Sequence, residues 1–434
     1  MQKEAEKFVN FINRSPSPYH AAAAAARTLS EHNFQELKPG QDWQLERGEK
    51  YYTVKNGSTL IAWTLGEKIR KKSGFRIIGA HTDSPGFKVK PNPEMIESDS
   101  YLKLNTEPYG GVVLRTWLDR PLSLAGRVFL KGDSPLQTRS KLVNIKQPLL
   151  IIPGLAIHLN REVNKGQKLD KQEHMLPLMA LVDKNTERGN FLEKYLASRL
   201  DLSSEDIIDF DLFLYASEES KIMGAHNEFI SSGRMDDQAM AHAALRGLIN
   251  SRAEDSVNVI CLFDSEEIGS HTSQGAASPF LKRILTRIHS NLSGSTSDFH
   301  QRLDSSFLIS ADMAHGHHPN KTDDSDPTNR PILNKGPAIK SAPGGYITEG
   351  ETSSVYKEIC RTAGIPCQTY TNRSGKKSGR TIGPILAGQL DIRAVDVGNP
   401  LLAMHSVREL GGVQDHHYII QSFKQFFSLP QKNC

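Results

Sequence analysis

The stretch Phe75-Arg-Ile-Ile-Gly-Ala-His-Thr-Asp83 places a histidine and an aspartate directly behind a short apolar run. Such a run predicts a buried strand over residues 75–80. Two further apolar runs, 257–263 and 306–310, are each followed by acidic residues, Glu266-Glu267 in the first case and Asp312 in the second. Because α/β folds place ligands at the carboxyl ends of their strands, we predict an α/β fold with a functional site at these strand ends.

Acidic and histidine residues from five separate segments predict a two-metal hydrolase site. Two adjacent divalent ions need a bridging carboxylate and further nitrogen or oxygen ligands on each side. Hydrolysis needs one more carboxylate, which accepts a proton from the attacking water. Two adjacent carboxylates at a strand end repel each other, so one suits a ligand and the other a base. We predict Glu266 as the base and five ligands: His81, Asp236, Glu267, Asp312 and His405.

Each of these segments also has an ordinary structural explanation. Asp236 precedes a predicted helix, 237–251, where an acid interacts favourably with the helix dipole. Asp83 lies two residues after His81 and is predicted to orient its imidazole ring. His315, in a histidine-rich turn, is predicted to support Asp312 without binding metal. The whole set, and no single member of it, indicates a metal site.

Composition excludes several classes of protein. The 434 residues suit about two domains, and 38% hydrophobic and 24% charged residues are typical of globular proteins. The net charge is only +4, and the densest basic tract, 68–72, is predicted to be a solvated loop, so no nucleic-acid partner is expected. The sequence contains no apolar stretch of 18 residues, so no membrane-spanning helix is predicted. The N-terminus also lacks the apolar core of a signal peptide. Four cysteines without CxxC spacing, namely Cys261, Cys360, Cys367 and Cys434, favour a reducing compartment, so we expect a cytoplasmic protein.

The order of predicted elements indicates an inserted domain. A first helix is expected to end near Asn13, and Ser17-Pro18 predicts the start of a second. Short β-like pieces dominate residues 92–230, for example 111–117, 126–130 and 149–152. The metal-site candidates lie on both sides of this block and none lies within it. We therefore predict a catalytic domain formed by 1–91 and 231–434, interrupted by a second domain at 92–230.

Several motifs together resemble the M18 family of metallo-aminopeptidases, which comprises the aspartyl aminopeptidases and their bacterial relatives. The matching motifs extend nearly from end to end and include Phe11-Ile-Asn-Arg-Ser-Pro-Ser-Pro-Tyr-His20, Gly79-Ala-His-Thr-Asp-Ser-Pro85, Glu266-Glu-Ile-Gly-Ser270, Ala311-Asp-Met-Ala-His315 and Ala403-Met-His-Ser406. The resemblance implies a zinc-aminopeptidase catalytic domain, with a mixed sheet flanked by helices, interrupted by a β-rich dimerisation domain. It also implies dimers that assemble into a tetrahedral dodecamer.

The resemblance further implies a role for each site residue. Two Zn²⁺ per subunit are expected, with Co²⁺ or Mn²⁺ as substitutes. His81, Asp236 and Asp312 would hold one ion, and Asp236, Glu267 and His405 the other. His158 would reach a neighbouring subunit's active site and stabilise the reacting carbonyl. Lys340 matches a lysine associated with substrate recognition.

The sequence is compatible with more than one substrate preference. An aminopeptidase that prefers N-terminal Asp or Glu is expected, with Lys340, Tyr346 and Arg380 in the substrate pocket. Gly375 stands where relatives usually have Asp, Arg380 where they have Ser or Thr, and residues 341–345 lack the usual polar and basic groups. An aminopeptidase of neutral or broad specificity, or a deacylase with the same metal site, is therefore the alternative. A catalytically idle assembly subunit is disfavoured, because the predicted ligand set is intact.

Overall fold

The computed structural model describes residues 1–70, 73–183, 189–252, 254–292 and 294–430. Part of the basic tract 68–72, and Cys434, lie outside these residues. Within them the chain forms nine α-helices: α1 Gln2–Asn13, α2 Pro18–Ser30, α3 Phe191–Leu200, α4 Met235–Asn250, α5 Phe280–Asn291, α6 Thr296–Asp304, α7 Gly350–Ala363, α8 Gly383–Leu390 and α9 Val413–Ser428.

The same residues form twenty β-strands. The first ten are β1 Gln35–Glu36, β2 Lys50–Lys55, β3 Thr59–Leu65, β4 Phe75–His81, β5 Gly86–Glu97, β6 Tyr101–Tyr109, β7 Leu122–Leu130, β8 Arg139–Asn144, β9 Leu178–Leu181 and β10 Ile207–Ala216. The others are β11 Lys221–Met223, β12 Phe229–Ser232, β13 Val257–Phe263, β14 Phe307–Ala311, β15 Ala314–His315, β16 Ala338–Lys340, β17 Gln368–Tyr370, β18 Arg393–Gly398, β19 Pro400–Leu402 and β20 Glu409–Gly412.

The chain divides into two compact units. The first comprises Met1–Asp83, Ser220–Met404 and Glu409–Cys434, and the second comprises Ser84–Glu219 and His405–Arg408. The sequence prediction placed the boundaries at 91/92 and 230/231. That residues 92–230 form an inserted dimerisation domain stays a prediction.

The first unit is built on a nine-stranded mixed sheet, in the order β1-β2-β3-β13-β4-β14-β18-β16-β17. Its central strands β13, β4, β14 and β18 are parallel to one another, and the outer strands β3 and β16 pair with them in the antiparallel sense. Alternate residues of β13 enter different cores: Val259 and Cys261 pack with α5, while Ile260 and Leu262 pack with α4 and α9. Because side chains alternate between the faces of a strand, β13, whose residues are all buried, is covered by helices on both faces.

The predicted α/β class, with a mixed sheet flanked by helices, is confirmed. The runs predicted as strands at 75–80, 257–263 and 306–310 form β4, β13 and β14, each within one residue of the predicted ends. Ser17 and Pro18 begin α2 as predicted, with Ser17 as the N-cap residue. A smaller sheet in this unit has the order β11-β12-β20-β19-β15.

The second unit contains one six-stranded sheet, in the order β8-β7-β10-β5-β6-β9, and every pair in it is antiparallel. Its core includes Trp117 and the buried leucines of β7 and β10. Two expected strands are absent from the described residues of this unit. The segment 111–117 ends in a 3₁₀ helix, Leu114–Trp117, in which the Thr116 hydroxyl donates to the Val113 carbonyl. Residues 149–152 make only isolated β-bridges.

No helix among the described residues is long and apolar enough to cross a membrane.

Candidate metal centre

The neighbouring strands β4, β13 and β14 carry predicted site residues at, or directly after, the same end. In the parallel pairs, His81 lies opposite Phe263 and Gly79 lies opposite Ser310. Parallel strands that are in register end at one edge of the sheet. The residues that follow β13 and β14, including Glu266 and Asp312, therefore leave the sheet beside His81.

His81 is surrounded by carboxylates and is only 1% exposed. Its backbone N–H donates to Asp237 Oδ2 at 3.1 Å, and its Nε2 lies 3.6 Å from Asp236 Oδ1. Its Nδ1 lies 3.1 Å from the carbonyl oxygen of Asp83 and 3.3 Å from Asp83 Oδ1. Burial lowers the pKa of His81, but the nearby carboxylates Asp237 and Asp236 outweigh it, and the net direction is upward.

The start of α4 presents two adjacent aspartates at the same place. Asp236 and Asp237 have non-helical backbone angles, and the peptide bond between them is cis. Glu409 holds this turn: its Oε2 accepts hydrogen bonds from the backbone N–H groups of Met235, at 2.7 Å, and Asp236, at 3.4 Å. Both aspartates are buried beside His81, so the turn contributes two carboxylates to the site, where the sequence analysis predicted one.

Glu266 and Glu267 lie in a short 3₁₀ turn, Glu266–Ile268, that follows β13. Their backbone N–H groups donate to the two carboxylate oxygens of Asp83, at 3.2 and 3.1 Å. Burial and the neighbouring carboxylates raise the pKa of Glu266 to about 8, and they raise the pKa of Glu267 well above its ordinary value. Asp83 therefore contacts both the His81 ring and the backbone of the glutamate pair, whereas the sequence predicted only the first contact.

The donor set fits a divalent cation. Ligand atoms of His81, Asp236, Asp237 and Asp312 all lie within 4.8 Å of one another, as do those of His81, Glu266 and Glu267. Burial raises the pKa of Asp312, as it does for Asp237, Glu266 and Glu267; Lys340 lowers the pKa of Asp312 and Asp236 raises it, and the net direction is upward. Packed carboxylates need positive charge between them, and one imidazole nitrogen with several carboxylate oxygens is a donor set that zinc accepts.

Lys340, at the end of β16, lies behind Asp312 and is 3% exposed. Its ammonium donates to Asp312 Oδ1 at 3.0 Å, to the Asp312 carbonyl at 3.2 Å and to the Met313 carbonyl at 2.9 Å. The same ammonium lies 4.9 Å from the centre of the Tyr346 ring. Burial lowers the pKa of Lys340, but Asp312 outweighs this effect and raises it above the ordinary value.

Arg380 lines a basic cavity of about 540 Å³ in the first unit. The loop 371–380 and residues 342–344 form its walls, and its charged lining groups are all cationic: Arg373, Lys376, Lys377 and Arg380. Lys376 is paired with Asp324 at 2.7 Å, and Arg373 donates to the carbonyl of Asp323. A β-carbon placed on Gly379 would lie 3.8 Å from the Tyr346 hydroxyl, so this loop passes next to Tyr346.

Two predicted site residues belong to the second unit. His405 has a positive φ of 68°, and its Nδ1 lies 3.0 Å from the carbonyl oxygen of Gly111. His158 lies in an exposed turn between the exposed apolar side chains of Ile157 and Leu159. The ligand role of His405 and the intersubunit role of His158 stay predictions.

Sequence reasoning missed Asp237 and Glu409. Asp237 was assigned no site role and only begins the predicted helix 237–251, yet it is fully buried and accepts the backbone N–H of His81. An adjacent acidic pair ahead of an apolar helix was the available signal. Glu409 had none, since its partners Met235 and Asp236 precede it by 174 and 173 residues.

Comparison with known proteins identifies the relatives of this chain. A family model described as aminopeptidase I zinc metalloprotease (M18) matches residues 11–427. A probable M18 family aminopeptidase 2 of Clostridium novyi is 50% identical over 428 residues, covering 98% of this chain and 99% of that protein. The aspartyl aminopeptidase of Dictyostelium discoideum is 40% identical over 468 residues, covering 98% and 96%. Among solved structures, an S. cerevisiae mApe1 dodecamer is 29% identical, with a TM-score of 0.85 over 98% of this chain and 97% of that one.

Proposed function

We propose, from the premise that the chain belongs to the M18 family of zinc metalloproteases, that it removes N-terminal Asp or Glu residues from peptides at a dinuclear zinc centre. Membership makes the chain a zinc aminopeptidase, and hence a hydrolase. The observation that carries the proposal is the convergence of two carboxylate groups on the buried His81: Asp236, Asp237 and Asp312 form one, and Glu266 and Glu267 form the other. The dinuclear centre and the acidic preference are the parts that need testing.

The proposed ligands divide between two ions. His81, Asp236 and Asp312 would hold the first, and Asp236, Glu267 and His405 the second, with Asp236 as the bridge. His405 is assigned from its position in the Ala403-Met-His-Ser406 motif. When bound, zinc polarises a carbonyl oxygen and lowers the pKa of a coordinated water toward about 7.

Glu266 is the proposed general base. Its carboxylate would take a proton from the attacking water and deliver it to the nitrogen of the leaving amine, which balances the hydrolysis of one peptide bond. A base that works near neutral pH needs a pKa above that of an ordinary glutamate, and burial raises the pKa of Glu266. Asp83, which accepts the backbone N–H groups of both glutamates, would fix the position of Glu266 relative to His81.

The preference for acidic N-terminal residues is supported by the basic cavity. Arg380 lines it, and its guanidinium can bind a carboxylate through two parallel hydrogen bonds. The Dictyostelium discoideum relative, named an aspartyl aminopeptidase, supports the same choice. Gly375 and residues 341–345, which depart from the family pattern, leave neutral or broad specificity as the alternative.

A homo-oligomer is the proposed functional form, with dimers assembling into a dodecamer. The S. cerevisiae relative is a dodecamer. In the second unit, the turn that carries His158 exposes the apolar side chains of Leu155, Ile157 and Leu159, which are 58%, 48% and 77% exposed. Clustered exposed apolar side chains are typical of interaction surfaces. The compartment is proposed to be the cytoplasm, in keeping with the free thiols of Cys261, Cys360 and Cys367.

The deciding experiment is a panel of chromogenic Asp, Glu, Leu and Ala substrates, assayed with zinc, cobalt or manganese. The proposal expects the highest kcat/KM on Asp or Glu, and a selective loss on these two in Arg380→Ser. A Leu value above both acidic ones would replace the acidic preference with a neutral one. Hydrolysis of N-acylated substrates, without turnover of any free-amine substrate, would instead identify a deacylase.

A further inference from the structure

We infer that Lys340 is a positioning residue for the proposed metal ligand Asp312, and that its charge supports zinc binding and the turnover of every substrate. This inference rests on the proposed metal site and not on the proposed acidic preference. It differs from the role that the family resemblance implied for Lys340, which was recognition of the substrate. A positioning role and a recognition role predict different effects of the same Lys340 variants on zinc affinity and on substrate preference.

The ammonium group of Lys340 has no donor to spare. An ammonium carries three N–H donors, and the group makes three hydrogen bonds, all to oxygen atoms of Asp312 and Met313, at 2.9 to 3.2 Å. A substrate carboxylate could bind this ammonium only if one of these bonds broke. The carbonyl or carboxylate oxygen that lost the bond would then be left unsatisfied in a buried site, which is unfavourable.

The surroundings of Lys340 also keep it in place. β16 lies between β18 and β17, with Lys340 opposite Asp396 on one side and Tyr370 on the other. The Tyr346 ring lies 4.9 Å from the ammonium. A side chain that is 3% exposed, in a strand paired on both sides, is suited to fixing a neighbour, whereas the exposed Arg380 can meet an incoming ligand.

Lys340 is hydrogen-bonded to the turn that carries Asp312. Here the chain leaves β14, and the backbone N–H of Asp312 donates to the Val397 carbonyl at 3.0 Å. The two chain segments approach so closely that a β-carbon on Gly398 would lie 1.9 Å from the Asp312 carbonyl oxygen. Lys340 satisfies the next two carbonyls of this turn and one carboxylate oxygen. A ligating carboxylate that is itself hydrogen-bonded holds its orientation toward the metal.

The test compares Lys340→Met, which keeps the unbranched apolar part of the side chain and removes the ammonium group, with Lys340→Gln, which keeps one donor group. Zinc affinity is measured by competition with a chromogenic chelator, and kcat and KM are measured on Asp and Leu substrates. Loss of such a supporting contact lowers metal affinity by about 10- to 100-fold. We expect that loss in Lys340→Met, a smaller loss in Lys340→Gln, and an equal fractional fall in kcat at saturating zinc on both substrates.

Arg76→Met is the matched control. Arg76 is another buried cation of the first unit, and it donates to the carbonyl of Phe427 at 3.2 Å. It lies at the start of β4, whereas His81 is at the end. Its removal should lower thermal stability and leave zinc affinity unchanged, which separates a general loss of stability from a loss at the metal site.

Unchanged zinc affinity in Lys340→Met, together with a rise in KM for the Asp substrate alone, would overturn the inference and restore the recognition role. If Lys340→Met does not fold, Lys340→Gln decides the question by the same two readouts. A wild-type enzyme without acidic preference would refute that part of the proposed function, yet loss of zinc affinity in the Lys340 variants would still support the inference.

Discussion

Asp83→Asn tests whether one carboxylate positions both halves of the metal centre. The two oxygens of Asp83 accept the N–H groups of Glu266 and Glu267, and Oδ1 also lies 3.3 Å from His81 Nδ1. Asparagine has nearly the same shape but only one oxygen. Its NH₂ group would face one of the two N–H donors, and a hydrogen bond cannot form between two donors.

The size of the expected effect of Asp83→Asn follows from the hydrogen bonds that the variant loses. One charge-assisted hydrogen bond is lost, and one buried N–H group is left unsatisfied, which costs about 1–3 kcal/mol. If this free energy destabilises the zinc-bound form of the site, zinc affinity or kcat drops by roughly 5- to 150-fold. Because the glutamate turn is affected together with His81, the loss should extend to Glu266, and kcat should fall even when zinc is saturating.

Asp415→Asn supplies the control for this prediction. Asp415 is another fully buried carboxylate that accepts two backbone N–H groups, from Asn334 at 2.6 Å and Gly336 at 2.8 Å, and it is in none of the candidate metal groups. Chelator competition and steady-state kinetics are run on both variants. A loss of zinc affinity in Asp415→Asn as large as in Asp83→Asn, or an unaffected kcat in Asp83→Asn, would refute the reasoning.

Three further predictions concern the base, the assembly and a buried histidine. Glu266→Gln should keep bound zinc, measured by metal analysis, while kcat falls by about 10² or more; loss of zinc would mean that Glu266 and Glu267 have exchanged roles. Mixing His158→Ala chains with Glu266→Gln chains should restore partial activity if His158 acts across a subunit interface, and no recovery in mixtures shown to exchange subunits would count against a shared site. Burial lowers the pKa of His416 to about 3, and its Nε2 lies 2.9 Å from His242 Nδ1. Below about pH 6.5, His416 therefore binds a proton in the unfolded chain but not in the folded chain. The free energy of unfolding decreases as the pH falls from 6.5 toward 3. Between pH 7.5 and 5, urea unfolding should show about 2 kcal/mol more loss for the wild type than for His416→Gln; equal losses would contradict this origin.

The sequence predicted the strands of the site well, because their signal is local. The run Val257–Phe263 is apolar apart from Asn258, and it forms a strand with those bounds, buried on both faces. The residues that end such strands followed from the rule that ligands gather at carboxyl ends. Local signals were less decisive in the second unit. There, the valines of 111–117 suggested a strand, but the hydrogen bond of Thr116 to Val113 belongs to a 3₁₀ turn.

The contacts that orient the site could not be predicted in this way. The bonds from Lys340 to Asp312, and from the Met235 N–H to Glu409, join residues 28 and 174 positions apart. Whether a lysine meets a substrate or a neighbouring carboxylate depends on how the two strands lie, and the residue types are the same in both cases. The spacing of residues in the sequence identifies which side chains can bind a metal. The three-dimensional packing determines which other residues orient those side chains.

The crowding of carboxylates around His81 predicts how metal removal depends on pH. In the chelated protein, burial raises the pKa of Asp237, Glu267 and Asp312, and the pKa of Glu266 is about 8. The folded chelated form therefore binds protons that the unfolded chain has already released above about pH 4.5. Its stability falls as the pH rises toward 8, by about 1.4 kcal/mol per pH unit for each extra proton bound.

Bound zinc replaces those protons with fixed positive charge, so the loaded protein should not show this slope. The difference in unfolding temperature between loaded and chelated protein should thus widen from pH 6 to pH 8, as measured by thermal unfolding with zinc or with a chelator in excess. A difference that is constant over this range would mean that the carboxylates are not competing for protons and metal at one place. It would then remove the electrostatic argument that these particular residues form the zinc site.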